Sequence, residues 1–268
     1  MGALSEDSRP VLWQLDISHY SEKVRWALDF KQVDHLRRSP FPGMHIPIAL
    51  WLSGGEAKTF PVLQLDGRTI ADSTAAIAAL EEFEPEPALY PSDPAERERA
   101  LALEDYFDEQ LGPHARLLPF HELISEPDLF AELAAQSVPP PLNKAKGLVG
   151  AYARGYTRIR WGAANGEAAA AARAGIVSAM DRLELELAAN GGDYLVGESF
   201  SVADLTAASL FYPIVGPEGA PIPPGQPMPL GFERFRESLS RRPGFTWVEE
   251  TFRRHRQPAA PRPAAAIN

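Results

Sequence analysis

The sequence predicts two domains of different class. An α/β sheet domain covers residues 10–83, and an all-helical domain covers 95–256 beyond a linker at 84–94. Three observations predict this. Strand-like alternation ends at about residue 71 and does not return. Glu84-Pro85-Glu86-Pro87 opens a polar, proline-rich stretch that runs through Tyr90-Pro91-Ser92-Asp93-Pro94. Past it the chain carries helical patterns, strongest from Glu167 to Ala189, where Ala, Leu and Glu dominate.

Val11 to Ile17 reads as a strand, with Val11, Trp13, Leu15 and Ile17 on one face. Leu12 makes the other face partly apolar, as in a strand covered on both sides. Ser18 then has the position of a helix N-cap, its hydroxyl able to accept from the amide of Tyr20 or Ser21. The helix runs from His19 to about Phe30, with Tyr20, Val24, Ala27 and Leu28 on one face and Glu22, Lys23 and Arg25 largely off it. Val33 to Ser39 is a second strand, broken by Pro40, Pro42 and Gly43. Ile46 to Leu52 is a short helix ended by Ser53-Gly54-Gly55. Pro61 to Leu65, Asp66-Gly67 and Arg68 to Ala71 form a hairpin, because Asp-Gly is a preferred pair for a type I′ turn. Pro61 stands at the first strand position, where a missing N–H is tolerated. Asp72-Ser73 precede a helix from Thr74 to Phe83 with Ile77 and Leu80 in its apolar stripe.

In the second half, Ala95 to about Leu111 is a long helical pattern containing Leu101, Leu103, Tyr106 and Phe107. Leu129 to Arg160 follows no single pattern and contains the breaker Val138-Pro139-Pro140-Pro141. Asn190-Gly191-Gly192 stops the helix that ends at Ala189. Ser201-Val202-Ala203-Asp204 has the form of a capping box with Asp in place of Glu, and Phe200 and Leu205 occupy its staple positions. A Pro/Gly-rich loop is expected from Pro213 to Pro229. A helix starts at about Phe232, is interrupted at Pro243-Gly244 and resumes at Phe245. The Ala/Pro-rich tail from Gln257 to Asn268 is expected to be disordered.

Composition narrows the function. The 268 residues are 45% hydrophobic, enough for a sizeable core, and carry a formal net charge of -10, which disfavours nucleic acid and anionic membrane surfaces as partners. With no cysteine, thiolate metal sites, disulfides and cysteine nucleophiles are excluded. The six histidines show no metal-ligand spacing, so no metal is expected. The N-terminus lacks the pattern of a signal peptide, and no apolar run approaches the roughly 20 residues of a membrane span.

Thr59-Phe60-Pro61-Val62-Leu63, Asp66-Gly67, Ile70-Ala71-Asp72-Ser73 and Ile77 stand in the order of the most specific stretch of the glutathione transferase superfamily. Ser18-His19-Tyr20-Ser21-Glu22-Lys23-Val24-Arg25 resembles the segment opening that family's first helix, and Ser201 to Asp204 resembles the capping box of its helical domain. The resemblance spans about Val11 to Arg256. It implies a thioredoxin-like N-terminal domain followed by an all-helical C-terminal domain, glutathione as co-substrate, a cytoplasmic homodimer and a role in detoxification.

By that resemblance Ser18 matches the thiol-activating Ser of the serine-type classes. The chemistry is reasonable. A free thiol with a pKa near 8.5 is only about 3% thiolate at pH 7. A hydroxyl donor at a helix N-terminus stabilises the thiolate through a hydrogen bond and the helix dipole. Ser21 and Tyr20 are the competing hydroxyls, with first-turn polarity and core packing as their plainer roles. Asp72 and Ser73 match the pair that holds the γ-glutamyl end, Asp72 on the ammonium, Ser73 and the following amides on the carboxylate. Phe60 matches the residue whose backbone pairs with the cysteinyl part, and Pro61 the cis proline. Lys58 and His45 suit the glycyl carboxylate, with solvated surface groups as the alternative. Tyr106, Phe107 and Arg116 are expected on the helical wall of the acceptor pocket, although Tyr106 and Phe107 point to different faces, so at least one of them belongs to the core. His19 departs from the Pro often found after the activating residue.

The resulting expectation is an enzyme whose glutathione thiolate attacks a small hydrophobic electrophile by conjugation, isomerisation or thioether cleavage. The alternatives are a non-catalytic ligand carrier or interaction protein on the same fold, or a transferase using another low-molecular-weight thiol.

Overall fold

The computed structural model describes residues 9–41, 43–222 and 224–256. The tail expected to be disordered lies outside these residues from 257 onward. The first domain contains β1 (Val11–Trp13), α1 (His19–Phe30), β2 (Leu36–Arg38), α2 (His45–Leu52), β3 (Val62–Leu65), β4 (Arg68–Ala71) and α3 (Ser73–Phe83). The sheet order is β2-β1-β3-β4. β1 and β2 are parallel, and the other two pairs are antiparallel. The Asp66-Gly67 turn takes φ of 48° and 73°, both positive as a type I′ turn requires.

β1 and β2 are both shorter than the alternation suggested, for local reasons. Gln14 N still donates to Arg38 O, but Ser18 N turns back to Leu15 O, so the chain leaves the ladder before Ile17. Val33 N is still bonded to Leu28 O at the end of α1, so the second strand cannot begin there.

The period-two alternation divides the sheet's faces. Leu12, Leu63 and Leu65 join Val24, Leu28, Ile77 and Leu80 of α1 and α3. Trp13, Val62 and Ala71 meet Ile48, Ala49 and Leu52 of α2 on the other face. The first of these cores continues into the helical domain.

That domain comprises α4 (Pro94–Gln110), α5 (Gly112–Ile124), α6 (Pro127–Gln136), α7 (Lys146–Trp161), α8 (Gly166–Ala189), α9 (Val202–Val215), α10 (Leu230–Leu239) and α11 (Pro243–His255). The region without a clear pattern is thus a helical hairpin, α6 and α7, joined across the proline breaker. α9 is its axis: every residue but Pro213 is buried, and it packs against α1, α4, α5 and α11. The capping box at Ser201 is formed. The loop expected from Pro213 begins later, because α9 carries Pro213 within it and ends at Gly216, which caps it at φ 66°. Burial of the helix on all sides outweighs the roughly 3 kcal/mol that an interior proline costs.

A second correction concerns α1. Glu22, Lys23 and Arg25 are buried, not solvated. The helix is enclosed by sheet, α3 and α9, and each charge has a partner. Arg25 Nε donates to Glu22 at 2.5 Å, Arg256 reaches Glu22 at 2.6 Å, and Lys23 Nζ meets Asp108 at 2.6 Å and Glu104 at 2.7 Å.

Candidate active site

The sheet register gathers the predicted motifs. Trp13 pairs with Val62, and Val62 pairs with Ala71. The end of β1, the start of β3 and the end of β4 therefore share one margin of the sheet. The segments that leave this margin carry Ser18, Phe60-Pro61 and Asp72-Ser73.

Ser18 is the N-cap of α1, with extended backbone at φ -82° and ψ 122°, and its Oγ accepts from Ser21 N at 3.3 Å. Among the described residues nothing accepts its hydroxyl proton, and the residue is partly exposed. Its hydroxyl is therefore free to donate at the positive end of a twelve-residue helix. The preceding turn is held from the other domain, since Tyr212 Oη donates to Ile17 O at 2.5 Å.

The other two hydroxyls are placed differently. Ser21 is fully buried and its Oγ accepts from Leu15 N at 3.3 Å, which braces the turn before Ser18. Tyr20 donates to Asp108 O at 2.8 Å, at the end of α4. Burial, followed by Asp108, raises its pKa, which disfavours a tyrosinate. The structure thus corrects Tyr20 from a thiol activator to a residue that docks the domains. A Cβ at Gly112 would lie 2.0 Å from its hydroxyl, so that contact requires glycine.

Asp72 is the N-cap of α3, its Oδ1 accepting from Thr74 N at 2.9 Å and Ala75 N at 3.1 Å. Its φ is 84° with ψ 139°, a region that non-glycine residues avoid at a cost of about 1–3 kcal/mol. The residue is exposed, so the carboxylate keeps an open side. Ser73, the first residue of α3, is buried. The Phe60–Pro61 bond is cis, and Phe60 is buried.

His45 is not a solvated surface group. It is buried at the start of α2, its Nδ1 accepting from Gly43 N at 3.0 Å and its Nε2 lying 3.2 Å from Tyr156 Oη of α7. Burial and then Arg160 lower its pKa, so it is neutral near pH 7. Lys58 is exposed.

The expected helical wall is corrected in two of three places. Phe107 is fully buried against Phe211 and belongs to the core. Tyr106 lies under Arg182 of α8 at 5.1 Å and packs against the main core. Arg116 is the residue that faces a cavity. It stacks over Trp161 at 5.3 Å, and its charge is felt by His19 and Tyr20 of α1.

Five further residues lie around the site. His19 is buried, with Nε2 2.9 Å from Gly112 O. Burial, then Arg116, lowers its pKa to about 3, so it is neutral and donates that bond. Asp108 joins α1, α3 and α4 by accepting from Lys23 Nζ and, at 2.8 Å, from Thr74 Oγ1. Tyr152, Tyr156 and Arg160 recur every four residues on α7, a helical spacing that marks one face. Tyr152 packs on Gly43 and Tyr156 on His45, so α7 leans over the first domain. Among the described residues, no group of three or more His, Asp and Glu could hold a metal, and no helix is long and apolar enough to cross a membrane.

Comparison with known proteins gives the following similarities. The family described as "Glutathione S-transferase, N-terminal domain" matches residues 12–88. A probable maleylacetoacetate isomerase of Caenorhabditis elegans is 27% identical over 207 residues, covering 77% of this chain and 79% of that protein. The maleylacetoacetate isomerase of Rattus norvegicus is 26% identical over 211 residues, covering 75% and 76%. The crystal structure of the Anaeromyxobacter dehalogenans maleylacetoacetate isomerase with bound GSH has a TM-score of 0.54 at 21% identity, covering 94% of this chain and 98% of that one. This last likeness shows the fold. The first domain is thus similar to the N-terminal domain of the glutathione S-transferases.

Proposed function

We propose that this protein is a glutathione-dependent enzyme that uses Ser18 to stabilise the thiolate of bound glutathione for attack on an electrophilic carbon. The observation that carries this reading is the free, partly exposed Ser18 hydroxyl at the N-terminus of α1, on the same sheet margin as Asp72 and Ser73. The donated hydrogen bond and the helix dipole both favour the anion over the thiol. A lowering of two pKa units corresponds to about 2.7 kcal/mol. Asp72 pairs with the γ-glutamyl ammonium, Ser73 and the α3 amides receive its carboxylate, and the backbone of Phe60 aligns the cysteinyl part. His45 or Lys58 meets the glycyl end.

Conjugation is the basic outcome: the C–S bond forms, and a leaving group departs or a proton is taken up. The names of the relatives favour a reversible variant, cis–trans isomerisation of a conjugated double bond. Thiolate addition leaves a single bond that can rotate, and elimination returns the thiolate and the alkene. We further propose residues 10–83 and 95–256 as the domains, a cytoplasmic location and a homodimer.

Thermal unfolding with and without glutathione tests the reading. At about 100 times the dissociation constant, binding adds roughly 2.7 kcal/mol, or about 5–10 °C for a chain of this size. The rise should vanish in Asp72→Ala, and conjugation of 1-chloro-2,4-dinitrobenzene should be detectable only in the presence of the thiol. No rise at any accessible concentration, with no turnover, overturns the proposal.

A further inference from the structure

The turn that leads from β1 into Ser18 carries three backbone carbonyls, and each has a donor. Leu15 O accepts from Ser18 N at 3.0 Å, Asp16 O from Arg25 Nη2 at 3.1 Å and Ile17 O from Tyr212 Oη at 2.5 Å. Arg25 also donates from Nη1 to Gln14 Oε1 at 3.0 Å, and Gln14 Nε2 donates to Asp16 Oδ1 at 3.0 Å. One guanidinium therefore holds the turn by its backbone and, through Gln14, by its side chain. Tyr212 belongs to α9 and is fully buried. Burial raises its pKa, so its hydroxyl stays a donor.

Arg25 is in turn oriented from the end of the helical domain. Its Nε donates to Glu22 Oε2 at 2.5 Å, and the other oxygen of Glu22 accepts from Arg256 Nε at 2.6 Å. Arg256 is the C-cap of α11, and its Nη1 donates to Asp29 Oδ2 at 2.8 Å. The indole of Trp26 donates to His255 O at 3.1 Å, which seats the end of α11 on α1. Glu22 is 1% exposed and Arg25 6%. A buried ion pair is a weak source of stability, because desolvation offsets its attraction. What this one supplies is direction. With both oxygens of Glu22 engaged, the planar fork of Arg25 has one arm on the carboxylate and two on the turn.

We propose that Tyr212 and Arg256 are positioning residues for thiol activation at Ser18. Tyr212 acts directly on Ile17 O, and Arg256 acts through Glu22 and Arg25 on Asp16 O. This role rests on the glutathione reading of Ser18. The physical requirement is distance: a misplacement of about 1 Å at a reacting group can cost about 10²-fold in rate. Both donors come from the helical domain, whereas Ser18 and the proposed glutathione contacts lie in the first. The helices that complete the core therefore also aim the activating hydroxyl.

Two measurements on the full chain test this. Hydrogen–deuterium exchange reads the turn with no thiol present. Tyr212→Phe and Arg256→Gln should each speed exchange over residues 15–18 by about fivefold or more, with β3 and α3 unchanged. Ultraviolet titration of bound glutathione reads the chemistry. Each variant should raise the thiol pKa by about one unit, roughly a tenfold loss of thiolate at pH 7, and lower kcat to match, with KM for glutathione within about twofold. Arg256→Lys keeps a cation on Glu22 and should recover most of both. Arg37→Gln removes the other partner of Asp29 and should leave both at wild-type values. Tyr212→Phe removes a single oxygen and keeps the ring in the core, so it carries the test even where Arg256→Gln fails to fold. Unchanged exchange in the turn, or faster exchange with an unchanged thiol pKa, overturns the proposal. A normal thermal shift with glutathione alongside that result leaves the glutathione reading standing, whereas no shift in the wild type overturns both.

Discussion

Two serines of this chain cap helices, and they do different work. Ser18 begins α1 at the sheet margin, partly exposed, with its proton uncommitted. Ser201 begins α9 inside the molecule, 2% exposed, and donates to Asp204 Oδ2 at 2.8 Å. Asp204 also accepts from Ser201 N at 2.9 Å and Leu195 N at 2.8 Å, so every polar atom there is used for folding. The same contrast separates the two aspartates. Asp204 is fully buried, and burial raises its pKa to about 6 against the pull of its donors, whereas Asp72 caps α3 with one side open. A cap is available for chemistry only where tertiary packing leaves a side of it uncovered.

Four experiments can break or sharpen this contrast. The largest effect should come from Asp204→Ala, which strands two buried amides. Unsatisfied buried donors cost about 1–3 kcal/mol each, so a stability loss of about 2–5 kcal/mol is expected in urea unfolding. A loss under about 1 kcal/mol would erase the distinction between the caps. Ser18→Ala should do the opposite. Its stability should fall by only about 1 kcal/mol, the value of one N-cap, while kcat drops about 10²–10³-fold, as for removal of one donor to a reacting anion. Ultraviolet titration of the bound thiol should show the matching rise in its pKa.

His19 gives the third test. Its folded pKa of about 3 lies below the unfolded value near 6.5. The unfolded state therefore takes up a proton first as pH falls, so the stability contributed by neutral His19 is complete above about 6.5 and declines toward 3. By pH 5 the loss is about 2 kcal/mol. Asp204 shifts in the opposite sense, so the informative quantity is the difference between wild type and His19→Gln, whose amide can still reach Gly112 O. That difference should be flat above pH 6.5 and should favour the variant progressively below it. The smallest effect should be that of Asp72→Gly. Relief of the positive φ offsets the lost cap, so the melting temperature should hold or rise slightly, while glutathione affinity falls about tenfold by titration calorimetry. Equal loss of stability and affinity would make Asp72 merely structural.

Much of the first domain was legible because its signals are local. The Asp66-Gly67 turn, the alternation of Pro61 to Leu65 and the cap at Ser18 each depend on residues a few positions apart. The motif order that indicated the family was legible for the same reason. What failed depended on distant partners. Lys23 looked like a surface lysine, and only Glu104 and Asp108, some eighty residues away, make its burial tolerable. Tyr20 lost its catalytic reading to a carbonyl of α4, and Phe107 its pocket reading to Phe211 of α9. Pro213 read as a loop start because the burial that keeps it helical comes from neighbours of α9. The face of α7 carrying Tyr152, Tyr156 and Arg160 was visible as a four-residue spacing, but its target, the Gly43–His45 turn, was not.

By itself, then, the amino-acid sequence determined the α/β-then-helical class, the order of the elements in the first domain, the absence of thiol chemistry in the protein's own side chains, and which hydroxyls and carboxylates stand at helix starts. These follow from periodicity, caps and turns, whose physics is contained within a few residues. The tertiary structure alone decided which of those groups remain open, which histidine is held neutral, and that Arg116 and Arg160 share one cavity. Burial and electrostatics act through space, and they are set by whichever segments the fold brings together.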